Sequence, residues 1–509
     1  MRGGKGSSLN TTSGSGGAAG EGDAPEGGDK SGGGSSFFGA VANLANAAVG
    51  AGVLAFPSAF RETGLAGGVV LTVLFAAIMG WTLHILGLAS ARAKRDSYQS
   101  VIRALLGPWA GVAIAVSMSL YLFGSCVAYL DIVSNQITTI ADSAGLGHTV
   151  LGNRIFVVAM AALLLLPLCL LPRIEALNYA SAVAVVSIVY LEGDVIAHAA
   201  RSLSDGTADL HSGGVTVLNL SVGLFKALPV LAFALQCHLV YVPVYQSLRD
   251  KSLRTMDLVS VATYVLCFLL YVPTGLLGYM QFGRSTCSDI VAKNLPSTPD
   301  TDVARGAIAL TAMLSYPLLH FVARTTLNDV FFGGASLDSD DAATGPAARA
   351  ALADDDAAFS AMEPLTPGAL YPADGDVDGG FADGGAPHIA GASAARTCGL
   401  SVRVRYLLLT LGFMGATVGT AAAVSDLGVV LDITGSTAAV VQVFLFPAAL
   451  YLRIAALDAG GGVGEGRSIF SGAPAWAWGG AIFLCVFGTA MGVVSLVAVG
   501  LSTDPANCT

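Results

Sequence analysis

Charged residues are scarce in this 509-residue chain: they make up 12% of the sequence, while 54% of it is hydrophobic. Soluble domains carry roughly twice that charged fraction. The composition therefore excludes an ordinary soluble domain and indicates a multi-pass integral membrane protein. No cleavable signal pattern precedes Phe37, so we expect the first spanning segment itself to direct insertion.

Sequence motifs of enzymes and metal sites are also missing. The eight cysteines include no Cys-x-x-Cys pair, and the chain has no His-Glu-x-x-His, Gly-x-Ser-x-Gly or Gly-x-x-x-x-Gly-Lys-Ser/Thr motif. We therefore expect no enzyme, no bound cofactor and no cysteine metal site.

Apolar segments of spanning length recur along the chain. They predict eleven helices, at about residues 37–60, 65–90, 110–138, 154–172, 176–199, 217–245, 256–283, 303–323, 403–424, 430–453 and 475–501. Residues 1–36 and 331–400 have compositions typical of disorder. The predicted organisation is a disordered tail (1–36), helices one to eight (37–330), a disordered acidic loop (331–400) and helices nine to eleven (401–503).

The basic residues of the loops orient these helices. They follow the second and sixth spans and precede the ninth, which places the N-terminus and the acidic loop in the cytoplasm. Cys287 and Cys508 then share the opposite side, where a disulfide between them is compatible with the topology. The basic residues are Arg92, Lys94, Arg95, Arg103, Arg249, Lys251, Arg254, Arg403 and Arg405.

The first span carries Gly50-x-Gly52 at its centre, with Asn46 one turn upstream. Backbone can leave a helix at mid-membrane only where protein, water or a solute satisfies the freed N–H and C=O groups. The sequence therefore predicts a broken helix that holds a ligand. The alternative is a tight helix–helix contact through small residues.

The sixth span is interrupted in a similar way by Pro229, Gln236 and His238. Spans one and six begin two successive groups of five helices, and paired interruptions at matching positions are typical of an inverted-repeat transporter. The N–H groups at the start of a half-helix suit a carboxylate, and free carbonyls suit an ammonium group or a small cation. An amino acid presents both charges.

Several stretches resemble the amino acid/auxin permease family, and particularly its sodium-coupled neutral amino-acid transporter branch. The resemblance extends over nearly all of residues 37–501. The stretches that carry it are Asn43–Leu54, Leu228–His238, Tyr271–Gly283, Leu314–Pro317 and Gly428–Arg453.

The resemblance implies an all-α fold like that of the bacterial leucine transporter, with two inverted five-helix repeats plus an eleventh helix and an alternating-access cycle. It implies that the substrate sits on the two helix breaks and that sodium bridges the first and eighth helices. The implied substrate-binding residues are Ala48, Gly50, Ala51, Gly52, Leu231, Ala232, Phe233 and Ala234. The implied sodium ligands are the carbonyls of Asn46 and Val49 and the hydroxyl of Ser315.

The sequence leaves open which ion is coupled to transport and whether the protein is a transporter or a receptor. Glu192 and Asp194 in the fifth span could carry a proton instead, which would fit a vacuolar or lysosomal membrane rather than the plasma membrane. A receptor that senses amino acids without transporting them is a further alternative. In every case we expect a monomer with a neutral amino acid and membrane lipid as partners and no nucleic acid.

Overall fold

The computed structural model describes residues 35–171, 180–212, 214–332, 401–459, 470 and 472–501. Within these residues the regular structure is helical, apart from one isolated bridge between Ser35 and Leu248. Most of the predicted tail, most of the predicted acidic loop and Cys508 lie outside the described residues. The proposed disorder, the domain boundaries and the Cys287–Cys508 disulfide therefore stay predictions.

Seventeen α-helices are numbered here along the described chain. They are α1 (Phe37–Ala48), α2 (Gly52–Thr63), α3 (Leu65–Ala93), α4 (Tyr98–Leu106), α5 (Pro108–Ser143), α6 (Arg154–Cys169), α7 (Ala180–Ser204), α8 (Asp209–Ser212), α9 (Leu224–Ala234), α10 (His238–Ser247), α11 (Leu253–Phe282), α12 (Ile290–Lys293), α13 (Pro299–Phe332), α14 (Val402–Ala423), α15 (Leu427–Thr434), α16 (Phe446–Asp458) and α17 (Ala475–Leu501). Two π-helical segments, Gly435–Ala439 and Val441–Leu445, connect α15 to α16.

Length and composition identify the helices that can cross a membrane. Among the described residues, nine spans meet both criteria, and the bent pair of α1 and α2 makes ten. The apolar helix α6 has only 16 residues and falls short of the usual spanning length. The all-α membrane fold is confirmed, while the count of eleven spans stays a prediction.

Glycines let three helices approach closely near the C-terminal end of α2. Phe60 of α2 packs between Gly68 of α3 and Gly275 of α11, and a methyl group at either glycine would lie 2.7 Å from the ring. Small residues at such contacts are the usual means by which membrane helices pack. The contact fixes α2 against α3 and α11.

Candidate functional site

The first span breaks at the position that Gly50 and Gly52 predict. α1 ends at Ala48, Val49 has an extended backbone, and α2 starts again at Gly52 after a bend of 63°. Gly52 faces Ala234 of α9 so closely that an added Cβ would lie 2.7 Å from the Ala234 Cα. Glycine is needed here because the two broken spans touch at this point.

The second break lies later in the chain than predicted. The residues Leu231 to Ala234 form the last turn of α9, and the non-helical residues run from Leu235 to Cys237 before α10 begins at His238. Pro229 does not end the helix, although it removes the hydrogen bond to the carbonyl of Phe225. The hydroxyl of Ser495 on α17 donates to that carbonyl at 2.6 Å and replaces the lost bond.

Tyr271 of α11 joins the two breaks, a role that the sequence did not reveal. Its hydroxyl lies 2.8 Å from the carbonyl oxygen of Ala48 and 3.2 Å from that of Ala234. Its ring packs against Phe56 of α2, with the ring centroids 4.5 Å apart. A tyrosine in an apolar helix usually finds a polar partner for its hydroxyl, but the sequence alone does not identify which carbonyl that is.

A small cavity adjoins the first break. It has a volume of about 20 Å³, which is space for one water-sized particle. Asn46, Val49, Gly50, Ala51 and Ser315 line it, as does Thr311, which the sequence analysis did not select. Thr311 and Ser315 are four residues apart and therefore share one face of α13.

Six of the eight predicted substrate-binding residues do not line this cavity, namely Ala48 and Gly52 next to the first break and the four residues of α9. Leu231, Ala232, Phe233 and Ala234 are all buried, with exposed fractions of 6% or less, on the side of the break where α9 meets α2. The three predicted sodium ligands therefore line one cavity, whereas the predicted residues of α9 do not line it.

The oxygen atoms around the cavity suit a hard cation. Thr311 donates its hydroxyl to the carbonyl of Ala307 at 2.9 Å, which leaves its oxygen lone pairs available. The hydroxyl of Tyr129 on α5 lies beside both Ser315 and Gly50. Carbonyl and hydroxyl oxygens are ligands that hard cations prefer.

The two carboxylates of the fifth span are both buried. Glu192 accepts a hydrogen bond from Thr274 of α11, and its second oxygen has no partner among the described residues. Asp194 accepts from Thr301 of α13 at 3.2 Å and lies 3.7 Å from His198. They therefore belong to different helix contacts and do not form one acidic pair.

The residues after the second break join a buried polar network. Gln236 donates to the side-chain oxygen of Gln442 at 2.6 Å, and Gln442 donates to the carbonyl of Ser117 at 3.0 Å. Tyr98 of the short helix α4 donates to the backbone carbonyl of Gln442 at 2.7 Å. His238 lies 2.9 Å from the Thr82 hydroxyl, so every polar side chain that predicted this break has a partner.

Comparisons with known proteins agree with this architecture. Residues 33–462 match the family described as transmembrane amino acid transporter protein. Sodium-coupled neutral amino acid transporter 7 of Danio rerio is 31% identical over 333 residues, covering 62% of this chain and 70% of that protein. Amino acid transporter AVT6E of Arabidopsis thaliana is 29% identical over 315 residues, covering 59% and 64%, respectively.

Among solved structures, that of MhsT in complex with L-phenylalanine is similar in fold, with a TM-score of 0.51 and 12% sequence identity over 90% of this chain and 98% of that chain. This likeness confirms the fold expected from the leucine-transporter resemblance. The family match extends through both broken spans and the cavity beside the first break. The chain therefore belongs to the transmembrane amino acid transporter family.

Proposed function

We propose that this protein is a secondary active transporter that moves neutral L-amino acids across a membrane by alternating access, coupled to sodium. The observation that carries the proposal is the cavity at the first break, where Asn46, Val49 and Ser315 converge. The name of the Danio rerio relative supports both the ion and the substrate class.

In this proposal sodium binds in the cavity, held by the carbonyls of Asn46 and Val49 and the hydroxyl of Ser315. A bound cation there would tie α1 to α13, since these ligands come from both helices. A charge of +1 beside the break would also stabilise a substrate carboxylate at the N–H groups that begin α2. Sodium would thereby favour substrate binding.

The substrate itself would sit on the two breaks. We assign its carboxylate to the backbone of Gly50, Ala51 and Gly52 and its ammonium group to carbonyls at Ala48 and in the last turn of α9. Leu231, Ala232, Phe233 and Ala234 are buried against the first break, so the Tyr271 hydroxyl bridge would have to open to admit a solute. That requirement fits an alternating-access cycle.

Uptake into proteoliposomes tests the proposal. Labelled neutral amino acids are supplied with an imposed sodium gradient or an imposed proton gradient. We expect uptake that requires sodium and is lost in Asn46→Ala and Ser315→Ala, while the matched Ser204→Ala at an exposed helix end keeps it. Equal uptake in Ser315→Ala and wild type would reject the sodium site.

Proton coupling is the second candidate, and the burial of Glu192 favours it. A carboxylate with one unpartnered buried oxygen is costly inside a membrane. Uptake driven by a proton gradient without sodium, and abolished in Glu192→Gln, would establish this mechanism in place of the first. Substrate binding without uptake under either gradient would instead favour an amino-acid receptor.

The proposal also includes the orientation of the protein and the membrane in which it resides. We place the N-terminus and the segment between α13 and α14 on the cytoplasmic side, in the plasma membrane or a vacuolar or lysosomal membrane. The basic residues Arg92, Lys94 and Arg95 at the end of α3 support this orientation.

A further inference from the structure

Three side chains that can ligate a metal ion lie together where α7 meets the start of α13. In the described part of the chain, Asp194, His198 and Asp300 form a group whose ligand atoms all lie within 4.8 Å of one another. Asp194 and His198 are four residues apart and therefore share one face of α7, and Asp300 belongs to the first turn of α13. Two ligands at this spacing on one helix are typical of zinc sites.

The distances in this group are longer than hydrogen bonds and close to those between the ligands of one metal ion. Nε2 of His198 lies 3.7 Å from Oδ1 of Asp194 and 3.9 Å from Oδ2 of Asp300, whereas N–H···O hydrogen bonds reach only about 3.2 Å. Ligands at about 2.0–2.2 Å from a tetrahedral zinc ion are about 3.3–3.6 Å apart. Small side-chain movements would therefore bring the three residues to zinc-binding distance.

The burial of the group makes a cation favourable. The side chains of Asp194 and His198 are only 3% and 5% exposed, and Oδ1 of Asp194 accepts no hydrogen bond in the described part of the chain. Arg201 lies 3.6 Å from Asp300, but its side chain is 64% exposed, so water screens this pair. Two carboxylates thus face one imidazole. A divalent cation between them would neutralise both carboxylates, and buried carboxylates are costly without such compensation.

We propose that Asp194, His198 and Asp300 form a binding site for a zinc ion. The imidazole would ligate through Nε2, with its proton on Nδ1, and each carboxylate would supply one oxygen. The hydroxyl of Thr301, 3.0 Å from Nε2, or a water molecule would be the fourth ligand. The imidazole ligand suits zinc, whereas calcium and magnesium prefer oxygen ligands alone. The side chain of Asp300 is 42% exposed and gives the ion a path from water.

A zinc ion at this position would join α7 to α13, and its effect on transport rests on the proposed function. The same two helices line the cavity at the first break, α7 with Ala184 and Ile188, and α13 with Thr311 and Ser315. Thr311 follows Thr301 by ten residues, or about 15 Å along α13. Alternating access requires helices to move relative to one another. Zinc would therefore slow uptake by holding α7 and α13 in one arrangement.

Zinc binding to purified protein in nanodiscs, with any affinity tag removed, tests the proposal. When ZnCl₂ is titrated by calorimetry, we expect one equivalent per chain that excess CaCl₂ or MgCl₂ does not displace. Asp194→Asn, His198→Gln and Asp300→Asn should each weaken zinc binding about tenfold or more, since the loss of a group that only supports a ligand already costs about 10–100-fold. X-ray absorption at the zinc edge should show one imidazole with oxygen ligands and no sulfur.

Matched controls are His148→Gln and Asp205→Asn, which make the same chemical changes at exposed positions and should bind zinc as wild type does. Arg201→Gln should tighten binding, because it removes a positive charge and a competing partner of Asp300. Size-exclusion chromatography verifies that each variant is folded, and the half-exposed position of Asp300 makes its variant the safest test. No zinc binding to wild type, an equivalent that survives in all three ligand variants, or sulfur ligands in the absorption spectrum would overturn the site.

Uptake measured with and without ZnCl₂ separates this proposal from the proposed function. Each variant is compared with itself, as the ratio of its two rates. We expect zinc to lower uptake by wild type and to lose this effect in Asp300→Asn. Bound zinc without a change in uptake would overturn the effect on transport and support the metal site alone. Zinc bound at these residues in a protein that takes up no amino acid under any gradient would argue against the proposed function and support the metal site.

Discussion

The two interrupted spans differ in their geometry and in what surrounds the break. The first span bends by 63° between α1 and α2 and opens a cavity lined by backbone and hydroxyl groups. The span from Leu224 to Ser247 contains three non-helical residues yet passes as one continuous span of 24 residues. Gln236 and His238 each contact a polar side chain of another segment, while Gln236 Oε1 and His238 Nδ1 are buried without a partner among the described residues. The first break therefore borders a cavity, whereas the second is packed against side chains of the protein itself.

The largest effect should come from adding bulk at the point where the two breaks touch. Gly52→Ala places a methyl group against the backbone of Ala234, and overpacking of this kind costs about 1–3 kcal/mol. We expect a lower thermal unfolding midpoint and loss of uptake. The matched substitution Gly306→Ala on α13, where no atom lies within 4 Å of the added methyl, should leave both unchanged. A variant at Gly52 as stable as wild type would show that the breaks do not need to touch.

The next largest effect should come from removing the hydrogen bond between Gln236 and Gln442 at the second break. Gln236→Leu and Gln442→Leu each remove one partner of a buried amide pair that meets at 2.6 Å. Hydrogen bonds between membrane helices contribute about 0.6 kcal/mol on average and up to about 1.7. A double-mutant cycle on the free energy of unfolding should give a coupling energy in that range. Strict additivity of the two substitutions would mean that the amides do not stabilise the break.

A smaller effect is expected where one hydroxyl joins both breaks. Tyr271→Phe keeps the ring packed against Phe56 but removes the hydrogen bonds to the carbonyls of Ala48 and Ala234. The loss should be about 0.6 kcal/mol in unfolding free energy, with altered uptake because the hydroxyl holds the breaks together. Tyr190→Phe, at an exposed position on α7, is the control and should match wild type.

The smallest effect should be found at Gly50. An added methyl group would lie 2.9 Å from the hydroxyl of Tyr129, and its next neighbour is 3.9 Å away. Gly50→Ala should therefore lower the unfolding midpoint only slightly, and the second substitution Tyr129→Phe should restore it. Failure of that rescue would indicate that the first break needs glycine for its backbone conformation rather than for space.

The contrast between the breaks also explains what could be predicted from the sequence. The sequence locates the first break because the residues that cause it, Gly50 and Gly52, lie within the break. The family resemblance placed the second break at Leu231 to Ala234, a few residues too early. Pro229 leaves α9 unbroken, and the hydroxyl of Ser495, hundreds of residues away in sequence, replaces the bond that proline removes. The bridging role of Tyr271 and the π-helical segments after α15 depend in the same way on contacts between distant helices. In one π-helical segment, Gly435 lies against the Pro229 carbonyl.

The hydrogen bond from Ser495 has a consequence for the order in which the protein is assembled. Chains fold progressively as they are synthesised, beginning with their N-terminal parts. The carbonyl of Phe225 is made early, but its partner on α17 belongs to the last described helix. The helix α9 therefore acquires this hydrogen bond only after α17 has entered the bilayer, so the last described helix completes the hydrogen bonding of a helix that is synthesised much earlier.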